Sequence, residues 1–363
     1  MANRVQTVIN KDARSYTTPA TSGVGQGTVL GPFLFIVYIN DLPNLIQNSK
    51  LYTFADDTKV VSEIRTHNDS DLLQNNINLI IEWSKINNMS LNNKKFELLA
   101  HKPPTENNNL NFLRLLPFFT SNQSYSVSNS LEVSPSPFVK DLGILIDKDL
   151  NWKLHIETVT KKCKQISSWI LSVFYSRDQH TLITLFNSLV RTKIEYNCII
   201  WNPYQIQDII KIEQLQRLFT RKISNMNNYT YWERLDKLHL MSLQRRRERT
   251  IILHVWKILN CIAPNDINLN FKEHTRTLAI KAILKPLPKC RGSLLTKFDE
   301  SFIIKSAKLW NTLPPNLTHI TCLNLFKISL DKFLWGVPDE PPLSGYPHRN
   351  NNSLIFQTLV PKL

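Results

Sequence analysis

The pattern of the chain changes at Trp152, and this change constrains the fold more than any other feature of the sequence. Before it, short β-prone runs are separated by turn residues, which is typical of hairpins and small sheets. After it, apolar residues recur every three or four positions, which indicates a series of amphipathic helices. One such stripe contains Ile156, Val159, Cys163, Ile166, Ile170 and Val173. The sequence therefore predicts an α+β segment followed by a mostly helical one.

Two neighbouring aspartates stand near the centre of the first segment. A short apolar helix should begin near Pro32, since proline is favoured in a first helical turn. The β-prone runs Leu51–Ala55 and Thr58–Val61 flank Asp56 and Asp57, which predicts a hairpin with acidic residues at its turn. Two carboxylates brought to one site by a tight turn can hold a divalent metal ion. The alternative is a solvated turn, because aspartate is a common turn residue.

The rest of the first segment is expected to alternate between helix and strand. Apolar spacing after Ser70, its N-cap, predicts an amphipathic helix. A strand should follow at Phe96–Ala100. Residues 102–137 are rich in Pro, Asn and Ser and indicate a variable loop or hairpin. Phe138–Trp152 is typical of two strands joined by a turn.

The charge of +15 is distributed unevenly: residues 1–150 carry a net charge of −1, residues 151–260 carry +10 and residues 261–363 carry +6. This asymmetry indicates a polyanionic partner, nucleic acid first and an anionic membrane second, with generic solubility charge as the alternative. For the run Arg245–Arg249, an exposed helix face is as reasonable as direct nucleic-acid contact. The candidate nucleic-acid-binding residues are Lys211, Arg217, Arg221, Lys222, Arg245, Arg246 and Arg247.

Several classes of protein are disfavoured by the sequence. The N-terminus has no apolar stretch of the kind found in secretory signals, and the most apolar run, Val29–Ile39, is too short to span a bilayer. The five cysteines are widely spaced and form no C-x-x-C pair, which argues against a zinc site or a disulfide framework. We therefore expect an intracellular protein of the nucleus or cytoplasm, not secreted and without a membrane partner.

A glycine-rich turn, TSGVGQGTVLGP, precedes the first apolar helix. A dinucleotide-binding fingerprint starting at Gly23 would need glycine where Thr28 stands, and it would follow a buried strand. A phosphate-binding P-loop would need lysine directly after Gly27. Both familiar nucleotide loops are therefore excluded, and a flexible loop before a buried segment remains the simple alternative.

This turn is the first of four motifs that follow one another along the first segment, and the aspartate pair belongs to the second. They are GVGQGTVLGP, FADD, Leu91-Asn92-Asn93-Lys94-Lys95 and LGILID. In this order they resemble the reverse transcriptase of LINE-type (non-LTR) retrotransposons. The later stretches IEQLQRLFTRKI, YWERLDKLHLMSLQRRRERT and KLWNTLPPNL are similar to the helical region that follows the polymerase in many such elements, so the resemblance covers nearly the whole chain.

The resemblance implies a role for each residue of the first motifs. Asp56 would be the principal metal-binding carboxylate of the palm and Asp57 its neighbour, with Mg²⁺ as the cofactor. Gln26, with the backbone of Gly23 and Gly27, would shape the pocket for the incoming nucleotide and the template base. The implied partners are an RNA template, a DNA primer and deoxynucleoside triphosphates, while protein partners are not implied.

The later motifs would hold the remaining parts of the substrates. Lys95 would lie near the triphosphate, where a cation can stabilise the leaving pyrophosphate or donate a proton; a solvated lysine is the alternative. The segment Val139–Asp147 would hold the primer end. The basic helices after Trp152 would form a thumb on the template–primer backbone, a contact independent of base sequence.

Two departures from the family pattern weaken the implied activity. Gly25 occupies the position of the family's proline, which loosens the turn and could misplace Gln26. The family's first metal-binding aspartate lies on a strand well upstream of the turn, and Asp12, the carboxylate available here, does not match it. Because two-metal phosphoryl transfer needs carboxylates on both sides of the ions, the sequence predicts an N-terminally truncated and inactive reverse transcriptase.

The resulting prediction is a partial reverse-transcriptase palm followed by a mostly helical thumb and C-terminal region. The family reaction is RNA-directed DNA synthesis by two-metal nucleotidyl transfer. The alternatives are a non-catalytic nucleic-acid-binding protein and an element relic without selected function. The predicted divisions are a partial palm at 1–152, a basic helical thumb-like region at 153–260, a C-terminal helical region at 261–337 and a flexible tail at 338–363.

Overall fold

Two compact units make up the chain, one formed by residues 1–100 and 109–136 and the other by residues 101–108 and 137–363. Within the described part, the strands form two-stranded antiparallel pairs, and helices dominate the second unit. This mixture of helices and small sheets agrees with the predicted α+β class. The computed structural model describes residues 5–11, 13–20, 23, 27–101, 123–128, 131–275, 278–284, 298–345 and 352–357.

The first unit contains four pairs of strands and two α-helices within its described residues. The pairs are β1 (Val5–Gln6) with β4 (Thr18–Pro19), β2 (Ile9–Asn10) with β3 (Ala13–Arg14), β5 (Lys50–Phe54) with β6 (Asp57–Val61) and β7 (Tyr125–Ser128) with β8 (Leu131–Val133). The helices are α1 (Leu30–Tyr38) and α2 (His67–Ile86), and short 3₁₀ turns lie at Leu42–Leu45 and Asn93–Lys95.

The predicted helix near Pro32 and the predicted acidic hairpin are both present. The predicted N-cap of α2, however, is wrong, because Thr66 caps this helix four residues before Ser70. The Thr66 hydroxyl accepts a hydrogen bond from the Asp69 backbone N–H, and the Asp69 carboxylate accepts one from the Thr66 backbone N–H. This capping box satisfies two N–H groups at the helix start. Ser70 lies buried inside the helix and donates to the Tyr125 hydroxyl at 3.2 Å.

The strand predicted at Phe96–Ala100 does not form. Within this segment only Leu98 pairs, in a single parallel bridge with Pro135. Proline has no backbone N–H to continue a ladder, so the pairing stops at one bridge.

The first unit has a small apolar core. Its buried members are Ile39, Leu42 and Trp83, and the Trp83 indole N–H donates to Asp41 Oδ1 at 3.1 Å. The partly buried side chains around them come from α1, the first 3₁₀ turn, β5, α2 and the following loop: Phe35, Leu45, Leu51, Ile80 and Met89. A core of this size covers one side of α1 and leaves the remainder of that helix in solvent.

The second unit begins with a hairpin and continues as helices. The hairpin consists of β9 (Phe138–Asp141) and β10 (Ile144–Asp147). Leu142 and Gly143, which join them, have positive φ angles of 44° and 86°, as a two-residue type I′ turn requires. Ile144 belongs to the core of the helices that follow, so the structure groups this hairpin with the second unit.

The helices of the second unit are short to medium in length, and none in the described part is long and apolar enough to cross a bilayer. They are α3 (Lys153–Val173), α4 (Gln179–Leu185), a π-helical segment (Phe186–Arg191), α5 (Thr192–Glu195), α6 (Cys198–Trp201), α7 (Ile206–Thr220), α8 (Tyr231–Lys237), α9 (Leu243–Leu259), α10 (Phe302–Asn311), α11 (Pro315–Thr318) and α12 (Leu323–Trp335). A further hairpin pairs β11 (Phe271–Glu273) with β12 (Ile280–Ala282).

Two apolar clusters form the core of the second unit, and α9 contributes to both. The first cluster packs β10, α3, α4, α7 and α8, and it receives Leu243 from the start of α9. The second packs the rest of α9 against α10, α11 and α12. The predicted stripe of α3 points into the first cluster, except that Val173 at the helix end is half exposed.

Buried polar side chains satisfy the N-terminus of α9. The Glu213 carboxylate is fully buried and accepts from the backbone N–H groups of Leu243 and Gln244 at 3.0 and 3.3 Å, and from the Tyr231 hydroxyl at 2.6 Å. The Ser242 hydroxyl accepts from the Arg245 backbone N–H at 3.0 Å. Because the first N–H groups of a helix have no partner within it, these contacts fix where α9 begins.

The segment after residue 337 also packs on α9, contrary to the flexible tail predicted at 338–363. Asp339 accepts from the Ser242 backbone N–H and hydroxyl, both at 2.7 Å, and from the Asn352 side-chain amide at 2.9 Å. Leu343 and Leu354 are buried in the two apolar clusters. The proline- and asparagine-rich composition therefore hides a docked segment across the described residues 338–345 and 352–357.

We expect Asp339→Ala to lower the free energy of unfolding by about 2–3 kcal/mol, because it leaves the buried backbone N–H of Ser242 without an acceptor and removes the shorter hydrogen bond of the Asn352 amide. Urea denaturation measures the change. The matched control is Glu340→Ala, since the exposed Glu340 side chain makes no hydrogen bond in the described structure and its backbone N–H is retained. Equal effects of the two substitutions would show that the segment is not held through Asp339.

Burial raises the pKa of Glu213 to about 7, against the lowering effect of the Tyr231 hydroxyl and Arg247. The folded state therefore binds this proton more tightly than the unfolded state, and stability due to it is lost as pH rises from about 4.5 through 7. The difference in unfolding free energy between Glu213→Gln and the parent chain should therefore shift in favour of the variant by about 2 kcal/mol when the pH is raised from 5 to 8.

Urea denaturation at the two pH values measures this gain. The control is Glu233→Gln at the start of α8, where the hydrogen bond from the Thr230 backbone N–H lowers the pKa of the carboxyl. Its effect on stability should not change between pH 5 and pH 8, because Glu233 stays ionised over that range. A pH-independent difference for Glu213→Gln would contradict the proposed ionisation.

Candidate functional site

The two predicted catalytic aspartates lie at the tip of the β5–β6 hairpin. Phe54 pairs with Asp57, so Ala55 and Asp56 form a two-residue loop and Asp57 begins β6. Ala55 has a positive φ of 49°, which short hairpin loops commonly require and which costs a residue with a Cβ roughly 1–2 kcal/mol. Asp56 and Asp57 are both exposed. The turn therefore presents two adjacent carboxylates to solvent.

This pair does not by itself fit a two-metal centre. Divalent ions such as Mg²⁺ take oxygen ligands, and Asp56 and Asp57 offer those from one turn. In-line nucleotidyl transfer also needs ligands on the opposite side of the ions. Among the described residues, no group of three or more His, Cys, Asp or Glu side chains is close enough to hold a metal.

The described ends of the glycine-rich turn adopt the conformation expected of glycine. Gly23 and Gly27 have φ angles of 77° and 78°, in the region that residues with a Cβ rarely adopt. A Cβ on Gly27 would meet no atom within 4 Å, so the backbone conformation rather than crowding demands glycine there. Gln26 and Gly25 lie outside the described residues, and the placement predicted for Gln26 stays a prediction.

Lys95 ends the 3₁₀ turn Asn93–Lys95 and is exposed. Its backbone N–H donates to the Asn92 carbonyl at 2.9 Å, so the turn fixes its backbone and leaves its side chain extended into solvent. Within the described structure, no hydrogen bond or ion pair joins Lys95 to Asp56 or Asp57. The proximity to a triphosphate implied by the family remains a prediction.

The predicted cations of the helical region are in different environments. Lys211 is partly buried and forms ion pairs with Glu157 at 3.3 Å and Asp208 at 3.8 Å. Arg217 donates to the Ser344 carbonyl at 3.3 Å, and Arg221 donates to the Asn227 side chain at 3.0 Å. Lys222 is exposed at the end of α7. Lys222 and Arg221 are thus the more accessible members of this set.

Arg245 and Arg247 are buried, which neither of the two sequence interpretations anticipated. Arg245 is fully buried and donates to the carbonyls of Pro338 and Asn352 at 2.9 and 3.1 Å, with Glu248 as its ion-pair partner at 3.4 Å. Phosphate contact requires an accessible guanidinium group, so this assignment of Arg245 is corrected to a structural role in docking the C-terminal segment.

Arg247 and Arg246 complete the run. Arg247 is 1% exposed and its Nε donates to the Asn202 side chain at 3.1 Å, so the assignment to nucleic-acid contact is corrected for this residue too. Burial lowers the pKa of Arg247, opposed chiefly by the charge of Glu213. Arg246 is partly buried and forms a bidentate ion pair with Glu195. The basic run is therefore largely occupied inside the protein.

Sequence reasoning missed a polar groove between α3 and α7. Its two facing helices carry Glu157, Thr160, Lys161, Lys164, Gln165 and Ser168 on one side and Gln207, Ile210, Lys211 and Gln214 on the other. Lys161 and Lys164 are exposed and have no acidic partner in the described part of the chain. The available signal was their spacing of three residues, which places both lysines on the polar face of an amphipathic helix.

The cysteines of the described structure form no disulfide. Cys163 and Cys198 are buried, and burial raises the pKa of each thiol to about 11, whereas Cys261 and Cys322 are exposed. Buried thiols of this kind act as small apolar side chains rather than as nucleophiles or metal ligands.

Comparison with known proteins identifies one family match and several relatives among transposon polymerases. Residues 3–124 match the family described as reverse transcriptase (RNA-dependent DNA polymerase). A probable RNA-directed DNA polymerase from transposon X-element of Drosophila melanogaster is 26% identical over 216 residues, which is 56% of this chain and 22% of that protein. The RNA-directed DNA polymerase from mobile element jockey of Drosophila funebris has the same identity and coverage.

An uncharacterised protein of Caenorhabditis elegans is 29% identical over 129 residues, which is 34% of this chain and 63% of that protein. The chain thus spans about a fifth of the length of the two transposon polymerases. The matched family segment contains the glycine-rich turn, the aspartate hairpin and Lys95.

Proposed function

We propose, from the reverse transcriptase match over residues 3–124 and the similarity to non-LTR transposon polymerases, that the chemistry of this chain is RNA-directed DNA synthesis at the β5–β6 hairpin. The observation that supports this most directly is the exposed Asp56–Asp57 pair at a strained two-residue turn inside the matched segment. Strain of this kind is often found at functional sites.

In this proposal different residues of the first unit bind the metal ion and the nucleotide. Asp56 and Asp57 hold a divalent ion, with Mg²⁺ as the ion proposed. Gln26, with the backbone of Gly23 and Gly27, bounds the pocket for the nucleotide and the template base. These assignments rest on the family motifs and on the positive φ angles of the two glycines.

Lys95 completes this proposal as the cation beside the triphosphate. An ammonium group there stabilises the charge that develops on the leaving pyrophosphate. Its exposed side chain on a short, backbone-bonded turn is compatible with such a contact. The substrates proposed are an RNA template, a DNA primer and deoxynucleoside triphosphates.

We further propose that the chain by itself has negligible polymerase activity. Asp56 and Asp57 can reach an ion from one turn only, whereas two-metal nucleotidyl transfer requires ligands on both sides of the ions. A further carboxylate from another polypeptide segment would have to complete the centre. A non-catalytic nucleic-acid-binding role is then the alternative, and the groove between α3 and α7 favours it.

Primer extension tests the catalytic proposal. The purified chain, given an RNA template, a DNA primer, deoxynucleoside triphosphates and Mg²⁺, should extend the primer no more than its Asp56→Asn variant does. Binding of the same template–primer, measured in parallel, shows that the preparation is folded and competent. Extension by the parent chain that Asp56→Asn abolishes would overturn the proposed inactivity and establish a complete active site.

The nucleic-acid-binding role is proposed to use Lys161 and Lys164 on α3, together with Lys211 on α7. The groove between them contains side-chain amides and hydroxyls beside the apolar Ile210, and these polar groups can donate to phosphate oxygens. Lysines without acidic partners can release counterions from a phosphate backbone, which makes the affinity depend on salt. The proposed contacts are to phosphates and not to base edges, so we expect the binding to be independent of the nucleic-acid sequence.

A charge-reversal pair tests the groove. Lys161→Glu with Lys164→Glu should weaken binding of an RNA–DNA duplex at least tenfold, and should lower the slope of log affinity against log salt by about 2. Fluorescence anisotropy at several salt concentrations measures both quantities. The control variant, Lys162→Glu with Lys332→Glu, makes the same change in net charge at exposed positions outside the groove. Equal losses for both variants would reject the groove and leave only a diffuse charge effect.

A further inference from the structure

We infer that α1 is the surface through which two copies of this chain associate, an inference that does not rest on polymerase activity. Its sequence, Leu30–Tyr38, contains no charged residue, yet most of its large apolar side chains lie in solvent. The most exposed are Val29 at 94%, Phe33 at 62% and Ile36 at 61%. A helix that is apolar on all sides is normally enclosed by other elements.

The exposed positions cover more than one stripe of the helix. At 100° per residue, the exposed set extends over roughly half of the circumference or more. The opposite side meets the small core of the first unit through Phe35 and Ile39, and Tyr38 at the edge of the exposed set contacts the Trp83 ring and donates to the Asn87 carbonyl. The full exposed set, including the residue that precedes the helix, is Val29, Leu30, Phe33, Leu34, Ile36, Val37 and Tyr38.

The exposed area is large enough for a stable interface. Aromatic residues such as Phe33 and Tyr38 offer about 150–250 Å² each when fully exposed, and with the aliphatic residues taken near the lower end of that range the exposed fractions of this set amount to roughly 700 Å². The largest apolar patch on a typical monomer is about 300–600 Å². A standard protein interface buries about 800 Å² per partner. The α1 surface is therefore nearer the size of an interface than that of an ordinary patch.

Charge favours a protein partner over a lipid surface. Helices that lie on membranes carry Lys and Arg along a polar face, and α1 has neither. Residues 1–150 have a net charge of −1, whereas the remainder of the chain carries +16. Two copies can approach through the nearly neutral first unit without the repulsion that contact between the basic segments would bring.

The neighbouring hairpin adds a second means of association. β5 and β6 form a two-stranded sheet, so each has an outer edge without a strand partner in the described structure. Tyr52, Phe54 and Val61 on this hairpin are also exposed. Free strand edges beside apolar surface are common sites of pairing between chains. A symmetric pair of chains presents α1 and this hairpin to the same elements of the other copy, which closes the assembly at two.

Sedimentation equilibrium of the nuclease-treated full chain tests the inference. The parent chain should have roughly twice its 42.2 kDa mass at micromolar concentration. The variant Phe33→Glu with Ile36→Lys keeps the net charge and changes two exposed side chains, so it should fold. Its dimer dissociation constant should rise at least tenfold, and its circular dichroism spectrum should match that of the parent chain.

A matched control separates a specific interface from general stickiness. Leu325→Glu with Ile328→Lys introduces the same charges, at the same spacing, on α12, where the two side chains are 53% and 68% exposed. It should leave the dimer unchanged. A parent chain that stays monomeric, one that forms open-ended aggregates, or equal effects of both variants would overturn the inference. So would a monomer that forms a one-to-one complex with a longer reverse transcriptase polypeptide, because that polypeptide would then be the occupant of the surface.

Discussion

The N-terminus of α9 is the point on which the second unit depends. This helix enters both apolar clusters, so its start must be satisfied inside the protein rather than by water. Glu213 from α7, Ser242 at the cap and Asp339 from the C-terminal segment provide the acceptors. Loss of one acceptor would leave a buried donor, which costs more than the missing bond alone would contribute.

The same arrangement explains why two arginines lie inside. Arg245 lies one turn into α9, where the C-terminal segment brings the carbonyls of Pro338 and Asn352 to its guanidinium group. A buried charge is tolerated only with such partners and an opposite charge, which Glu248 supplies. The network binds three parts of the chain together, and it makes the basic run a structural feature of the unit.

Local rules predicted the elements of the fold better than they predicted the surroundings of charged side chains. The aspartate hairpin and the helix near Pro32 follow from residue type and spacing within a few positions. Arg245 could not be placed in this way, because its partners lie about a hundred residues away in the sequence. A run of arginines has the same local pattern whether solvent or a distant carboxylate faces it.

The C-terminal segment illustrates the same limit. Its proline, asparagine and serine content is typical of a mobile tail. Composition alone does not indicate that the N-terminus of α9 needs a hydrogen-bond acceptor from this segment. Asp339 and Asn352 occupy positions defined by α9, and only the tertiary structure shows this. For the candidate site, Asp56 and Asp57 lie at the hairpin turn that the sequence predicted, whereas Lys161 and Lys164 are recognised as candidates only from the way α7 faces α3.

The two units differ in how fully they bury their apolar residues, and this difference bears on chemistry. The second unit has two extended clusters, whereas the described part of the first has a small cluster of three buried side chains beside the largely exposed α1. The glycine-rich turn leads directly into α1, and the core that α1 joins includes Leu51 of the aspartate hairpin. Any polypeptide that covers α1 therefore packs on the unit that carries both motifs. A partner bound at this surface would stabilise the unit that carries the aspartate hairpin, because binding to the folded state shifts the folding equilibrium toward that state.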